Sequence, residues 1–146
     1  MVLYVESSAV LSWLFGEAGS GEVAAAFESA SLIVTSELTN IECARAIHRA
    51  RAGGLVNEAQ ARALHADYDD AVRQWDLLPM GDRVVHLASA PWPVEPVRAL
   101  DAIHLASVLV ARDAWPGLRL LTLDRRIEAN AKALGVELAV AHGGTG

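Results

Sequence analysis

Four carboxylates carry the chemistry that this sequence offers: Glu6, Glu42, Asp101 and Asp124. Glu6 and Asp124 each follow a short apolar run directly, VLYV and LLTL. Glu42 lies in the first turns of a helical pattern that leaves the run LIVT, and Asp101 near the start of a long apolar helical pattern. Brought together, four acids repel and raise one another's affinity for protons. A hard divalent cation resolves that conflict. Oxygen-only ligation without a His or Cys cluster points to Mg2+ or Mn2+. Such ions support phosphodiester hydrolysis, by activating water and stabilising charge on phosphate oxygens. The acids also have local readings. Asp124 taken alone is a helix N-cap. Glu42 has Arg45 at i+3 as an ion-pair partner. Asp101 suits the positive end of its helix. Glu6 resists such a reading, because it interrupts an apolar strand end, and acids are rarely buried unpaired.

The elements that must position these acids alternate along the chain. Short unbroken apolar runs beside helical patterns read as strands buried on both faces. They fall at Val2 onward, at Leu32–Thr35, at Leu77–Met80, at Leu120–Leu123 and at Val136–Val140. Pro79 favours an edge position for the third. Helices are predicted over Ala9–Phe15, Ser20 or Gly21 to about Ser29, Glu37 to about Ala52, Glu58–Trp75, a short one capped by Asp82, about Val97–Asp113, and Arg125–Leu134. Ser36, Asn57 and Asp124 supply N-cap chemistry, and Gly53-Gly54 a stop. Pro91, Pro93 and Pro96 stiffen the loop before the long helix. Strand–helix alternation implies a mainly parallel sheet with helices on both faces. Ligands bind at the carboxyl ends of such strands. If strands one and four are neighbours, all four acids approach one crevice there.

At 146 residues the chain reads as a single domain, 1–146, with 140–146 a frayed tail. The net charge of −6 argues against a broad electrostatic nucleic-acid footprint, yet a metal-binding carboxylate cluster itself adds acidity. An acidic surface also suits a basic partner. Cys43 is the single cysteine, so no internal disulfide forms; it reads as a small core residue. No apolar run approaches the roughly 20 residues that span a bilayer, and no secretory leader is recognisable. The expected location is the cytoplasm. Neither GxGxxG nor GxxxxGK[ST] occurs.

Four blocks, VESSA, SELTNIECARAI, RALDAIHLA and LLTLDRRI, together resemble the motif blocks of PIN-domain nucleases, and more narrowly of VapC-type toxins of bacterial toxin–antitoxin pairs. The resemblance runs from about Val2 to Val140. It implies a three-layer α/β/α fold with a five-stranded parallel sheet in the order 3-2-1-4-5. It implies a Mg2+- or Mn2+-dependent endoribonuclease, usually a homodimer, neutralised by a cognate antitoxin. By position, Glu6, Glu42, Asp101 and Asp124 match the acidic site, with Glu6, Asp101 and Asp124 as the metal ligands. Ser8 and Thr122 match supporting hydroxyl positions. One position departs: the family has Asp where this chain has Glu6. The extra methylene moves the carboxylate, and misplacement by about 1 Å can cost on the order of 100-fold in rate.

Two further readings therefore accompany the endoribonuclease. A catalytically weakened PIN-fold protein would act by binding RNA or an antitoxin, and Glu6→Asp would then raise its activity. A phosphatase or phosphoacceptor domain would use Glu6 as nucleophile, without the lysine and phosphate-loop signals such a domain needs. Arg98, Arg125 and Arg126 flank the acidic blocks, placed either to hold RNA phosphates or to pair with the same acids. His104 reads as a packed or hydrogen-bonded histidine rather than a ligand. Trp13, Trp92 and Trp115 read as core or interface residues. The apolar first and second helices and the Ala-rich third offer a groove for a partner helix.

Overall fold

The structure is a computed structural model that describes residues 1–139. Its elements run β1 (Val2–Val5), α1 (Ser7–Phe15), α2 (Ser20–Ser29), β2 (Leu32–Ser36), α3 (Glu37–Ala52), α4 (Glu58–Val72), β3 (Asp76–Leu78), α5 (Asp82–Ala88), α6 (Ala99–Ala114), β4 (Arg119–Leu121), α7 (Arg125–Ala133) and β5 (Glu137–Leu138). The five strands form one parallel sheet in the order β3-β2-β1-β4-β5. The central strand β1 pairs Tyr4 with Val34 on one side and Leu120 on the other. As the middle strand it is buried on both faces, which is why its sequence is continuously apolar rather than alternating.

Successive β1 side chains divide between two cores. Tyr4 packs with Leu120, Val84, Leu105 and Ile127, under α5, α6 and α7. Leu3 and Val5 pack with Val10, Val23, Ile47 and Tyr68, under α1, α2, α3 and α4. Helices thus cover both faces, giving three layers. Cys43 is fully buried in the second core, and the Trp13 ring meets Phe27 edge-on there. Trp92 is buried in the first core, with its indole N–H unpartnered, and Trp115 packs against the same core.

Helix boundaries follow the caps. Ser36 Oγ accepts from Leu38 N at 3.1 Å to open α3. Asn57 and Gln60 form a reciprocal capping box at α4. Gly16 takes φ 64°, a left-handed conformation, to close α1. Several expected boundaries are corrected. Helix α1 begins at Ser7, not Ala9, and Glu6 at its N-cap position makes no side-chain cap. Gly81 occupies the N-cap position of α5; Asp82 lies in its first turn, where its charge suits the helix dipole. Helix α6 begins at Ala99 rather than Val97, because Glu95 accepts from Trp92 N at 2.9 Å and Val97 N at 2.8 Å and holds that segment as a loop. Helix α4 ends at Val72. Strand β4 ends at Leu121, leaving Thr122 and Leu123 in the turn before α7. Strand β3 is an edge strand, with Pro79 just beyond it. Strand β5 stops at Leu138; Val140 and the expected tail lie outside the described residues. No described helix is long and apolar enough to cross a membrane.

Candidate functional site

The carboxyl ends of β1 and β4 bring the acids to one end of the sheet. Glu6 continues β1 by one backbone hydrogen bond, donating from its N to Leu121 O at 3.0 Å. Its side chain is buried at 4% exposure and satisfied by hydroxyls. Ser7 Oγ donates to Oε1 at 2.7 Å, and Thr122 Oγ1 donates to Oε2 at 2.8 Å. Ser8 Oγ donates to Oε2 as well. The serines are therefore spent on Glu6 rather than on capping α1. The same hydroxyls grip the turn before α7: Leu123 N donates to Ser8 Oγ at 2.9 Å, and Asp124 N to Thr122 Oγ1 at 3.0 Å. One hydroxyl layer thus joins the first and fourth strand ends.

Asp124 caps α7, its Oδ1 accepting from Arg126 N at 2.8 Å and Ile127 N at 3.1 Å. The cap and the site residue are the same group. Asp101 stands in the first turn of α6, partly buried. Its pKa is raised, first by burial and then by the charges of Asp124 and Glu6; His104 and Arg98 act in the opposite direction. Three carboxylates therefore feel one another. Asp101 and Asp124 line an open cleft of about 380 Å³ with Arg98, Leu123, Arg125 and Arg126. None of these three arginines is ion-paired among the described residues, so the local pairing considered for them is not seen.

Glu42 also turns away from its sequence neighbour. Its Oε1 meets Nε2 of His104 at 2.5 Å, and it makes no ion pair with Arg45. His104 is 1% exposed and contacts Tyr4 Oη through Nδ1 at 2.9 Å. It is a buried, hydrogen-bonded histidine, as expected from sequence. Tyr4 carried no polar signal in the sequence, since it sits in an apolar run. Asn130 was equally hidden. Fully buried on α7, it accepts from Val94 N and donates to Val94 O, both at 2.9 Å, and donates to Arg126 O at 3.1 Å. It pins the proline-rich loop that leads into Asp101.

Asp101 and Asp124 offer only carboxylate oxygens to the cleft, and their repulsion is what a hard divalent cation would relieve. Among the described residues no group of three or more His, Cys, Asp and Glu side chains is gathered closely enough to hold an ion. Glu6 is taken up by hydroxyls and Glu42 by His104, which leaves Asp101 and Asp124 facing the cleft.

Residues 3–133 match the PIN domain family. The chain is similar to ribonuclease VapC45 of Mycobacterium tuberculosis, 30% identical over 144 residues covering 96% of each chain. Among solved structures it resembles FitAcB from Neisseria gonorrhoeae, with TM-score 0.69 and 16% identity over 97% of this chain and 98% of that one. It also resembles a toxin-antitoxin complex from Klebsiella pneumoniae, with TM-score 0.65 and 15% identity over 97% of this chain and 98% of that one.

Proposed function

Because this chain belongs to the PIN-domain family, we propose that it is a VapC-type endoribonuclease toxin that hydrolyses RNA phosphodiester bonds. The observation that carries the reading is the shared cleft of Asp101 and Asp124, rimmed by Arg98, Arg125 and Arg126. Carboxylates for a cation and guanidinium groups for phosphate stand side by side there. Mg2+ or Mn2+ would be held by Asp101 and Asp124, the two carboxylates that line the cleft. When bound, it would stabilise charge on the phosphate oxygens. The protein's own groups do the rest. The arginines hold and orient the RNA backbone. Asp124, fixed by two backbone N–H groups, and Glu42, fixed by His104, accept hydrogen bonds from the attacking water. Ser8 and Thr122 keep Glu6 in place.

The hydroxyl cradle supports an active site over a weakened one. Both Glu6 oxygens have hydroxyl donors, which supports a fitted acid at this position. A cognate antitoxin is the proposed partner, in line with the 30% identity to a VapC ribonuclease and the fold shared with the Klebsiella pneumoniae complex. Homodimerisation and a cytoplasmic location belong to the same reading. Incubating the purified protein with structured RNA and Mn2+, with and without chelator, tests it. Cleavage that needs the metal and is lost in Asp101→Ala is expected. No cleavage by the wild type, or equal cleavage by Asp101→Ala, overturns it.

A further inference from the structure

His104 links the two faces of the sheet at its functional end. Tyr4 comes from β1, His104 from α6 on one face, and Glu42 from α3 on the other. Nδ1 of His104 lies 2.9 Å from Tyr4 Oη, and Nε2 lies 2.5 Å from Glu42 Oε1. Nε2 also lies 3.9 Å from Glu6 Oε1, beyond hydrogen-bonding range. Taken as the neutral imidazole, His104 carries one N–H and one lone pair. The Glu42 carboxylate only accepts, so the proton belongs on Nε2. Nδ1 must then accept, and the Tyr4 hydroxyl must donate. Tyr4 is fully buried, and burial raises its pKa well above the ordinary value, so it stays a donor. The order Tyr4 O–H to Nδ1, then Nε2–H to Oε1, gives both His104 nitrogens a partner. Glu42 Oε2 makes no hydrogen bond among the described residues.

We propose that His104 is the positioning residue of this site: held in its Nε2–H tautomer by Tyr4, it anchors Oε1 of Glu42 and leaves Oε2 free of protein donors among the described residues. The assignment of partners and tautomer stands on geometry alone, whereas its kinetic consequence rests on the endoribonuclease reading. An imidazole bonded on both nitrogens cannot rotate without breaking both bonds, one of them buried. That rigidity is what a mobile surface glutamate would lack.

Two measurements test this. In 15N spectra of the metal-free protein, His104 should show a protonated Nε2 and a bare Nδ1, and Tyr4→Phe should mix the tautomers. A protonated Nδ1 in the wild type, or no change in Tyr4→Phe, overturns the proposal. In RNA cleavage, His104→Gln sets an amide N–H near the lost Nε2–H and should keep the greater part of the rate. His104→Leu fills the space without a donor and should lose about 10–100-fold in kcat with KM little changed. Its loss should not multiply with that of Glu42→Gln. A packing role would rank Leu above Gln, and that order, or losses that multiply, overturns the proposal. Tyr4→Phe removes a single hydroxyl and gives the same kcat test, with a smaller loss, should His104→Leu not fold. If the wild type cleaves no RNA, the endoribonuclease reading fails, and the spectra still decide the tautomer and the anchoring of Glu42.

Discussion

Shortening Glu6 by one methylene separates a fitted acid from a tolerated one. Glu6→Asp withdraws the carboxylate by about one carbon–carbon bond, ~1.5 Å. Ser7 and Ser8 adjoin Glu6 in the chain and can follow by rotating. Thr122 cannot, because it lies beyond β4 and is tied to Asp124 N at 3.0 Å. Its 2.8 Å bond to Oε2 therefore opens beyond hydrogen-bonding range. A bond to a charged acceptor contributes about 1.5–3 kcal/mol, and Glu6 at 4% exposure has little water to replace it. At about 2–4 °C per kcal/mol for a chain near this size, Tm falls by roughly 3–12 °C. Urea unfolding of Glu6→Asp, Thr122→Val and the double variant measures the shared bond, with an expected coupling of about 1.5 kcal/mol or more. With Mn2+, the cleavage rate falls, because displacement by about 1 Å costs on the order of 100-fold. A Glu6→Asp protein as stable as the wild type, additive with Thr122→Val, or faster in cleavage would refute this fit and restore the weakened-site reading.

Asp124 carries two duties that substitution can divide. Asp124→Asn keeps the cap on α7 and its stability, Asp124→Ala loses about 1 kcal/mol in denaturant unfolding, and both abolish RNA cleavage; retained cleavage in Asp124→Asn would leave only the cap. Replacing Arg98, Arg125 and Arg126 with Ala should weaken RNA binding across all sequences. The same change should flatten the salt dependence of binding by about one unit for each phosphate no longer neutralised, as read in filter-binding titrations. Cys43 gives a pH dependence. Burial first, then Glu42 and Glu6, push its thiol up to about 12 from an ordinary 9.0. The unfolded thiol ionises first, so stability is intact below pH 9.0 and is lost as the pH rises toward 12. Cys43→Ala should flatten that alkaline loss in urea midpoints, and the native thiol should resist alkylation until the protein unfolds.

The sequence disclosed the acids because a carboxylate after an apolar run is a local signal, visible at Glu6 and Asp124 without any fold. The strand order 3-2-1-4-5 came through family resemblance, since nothing in the period of Leu120–Leu123 says which strand it pairs. What stayed hidden is the matter of who bonds whom across long separations. The hydroxyls of Ser7 and Ser8 serve a buried carboxylate, and so α1 begins without a side-chain cap. Glu95 likewise delays α6 by bonding the loop. Tyr4 and Asn130 sit in patterns that read as core, and their polar atoms acquire meaning only when α6, α7 and the proline-rich loop arrive. Glu42 shows why local rules lose here. Arg45 at i+3 offers an exposed pair worth about 0.3–0.5 kcal/mol. His104, 62 residues away, offers a largely desolvated bond to a charged group, worth about 1.5–3 kcal/mol. The larger energy wins, and it turns Glu42 inward to the strand ends, where a carboxylate can do chemistry.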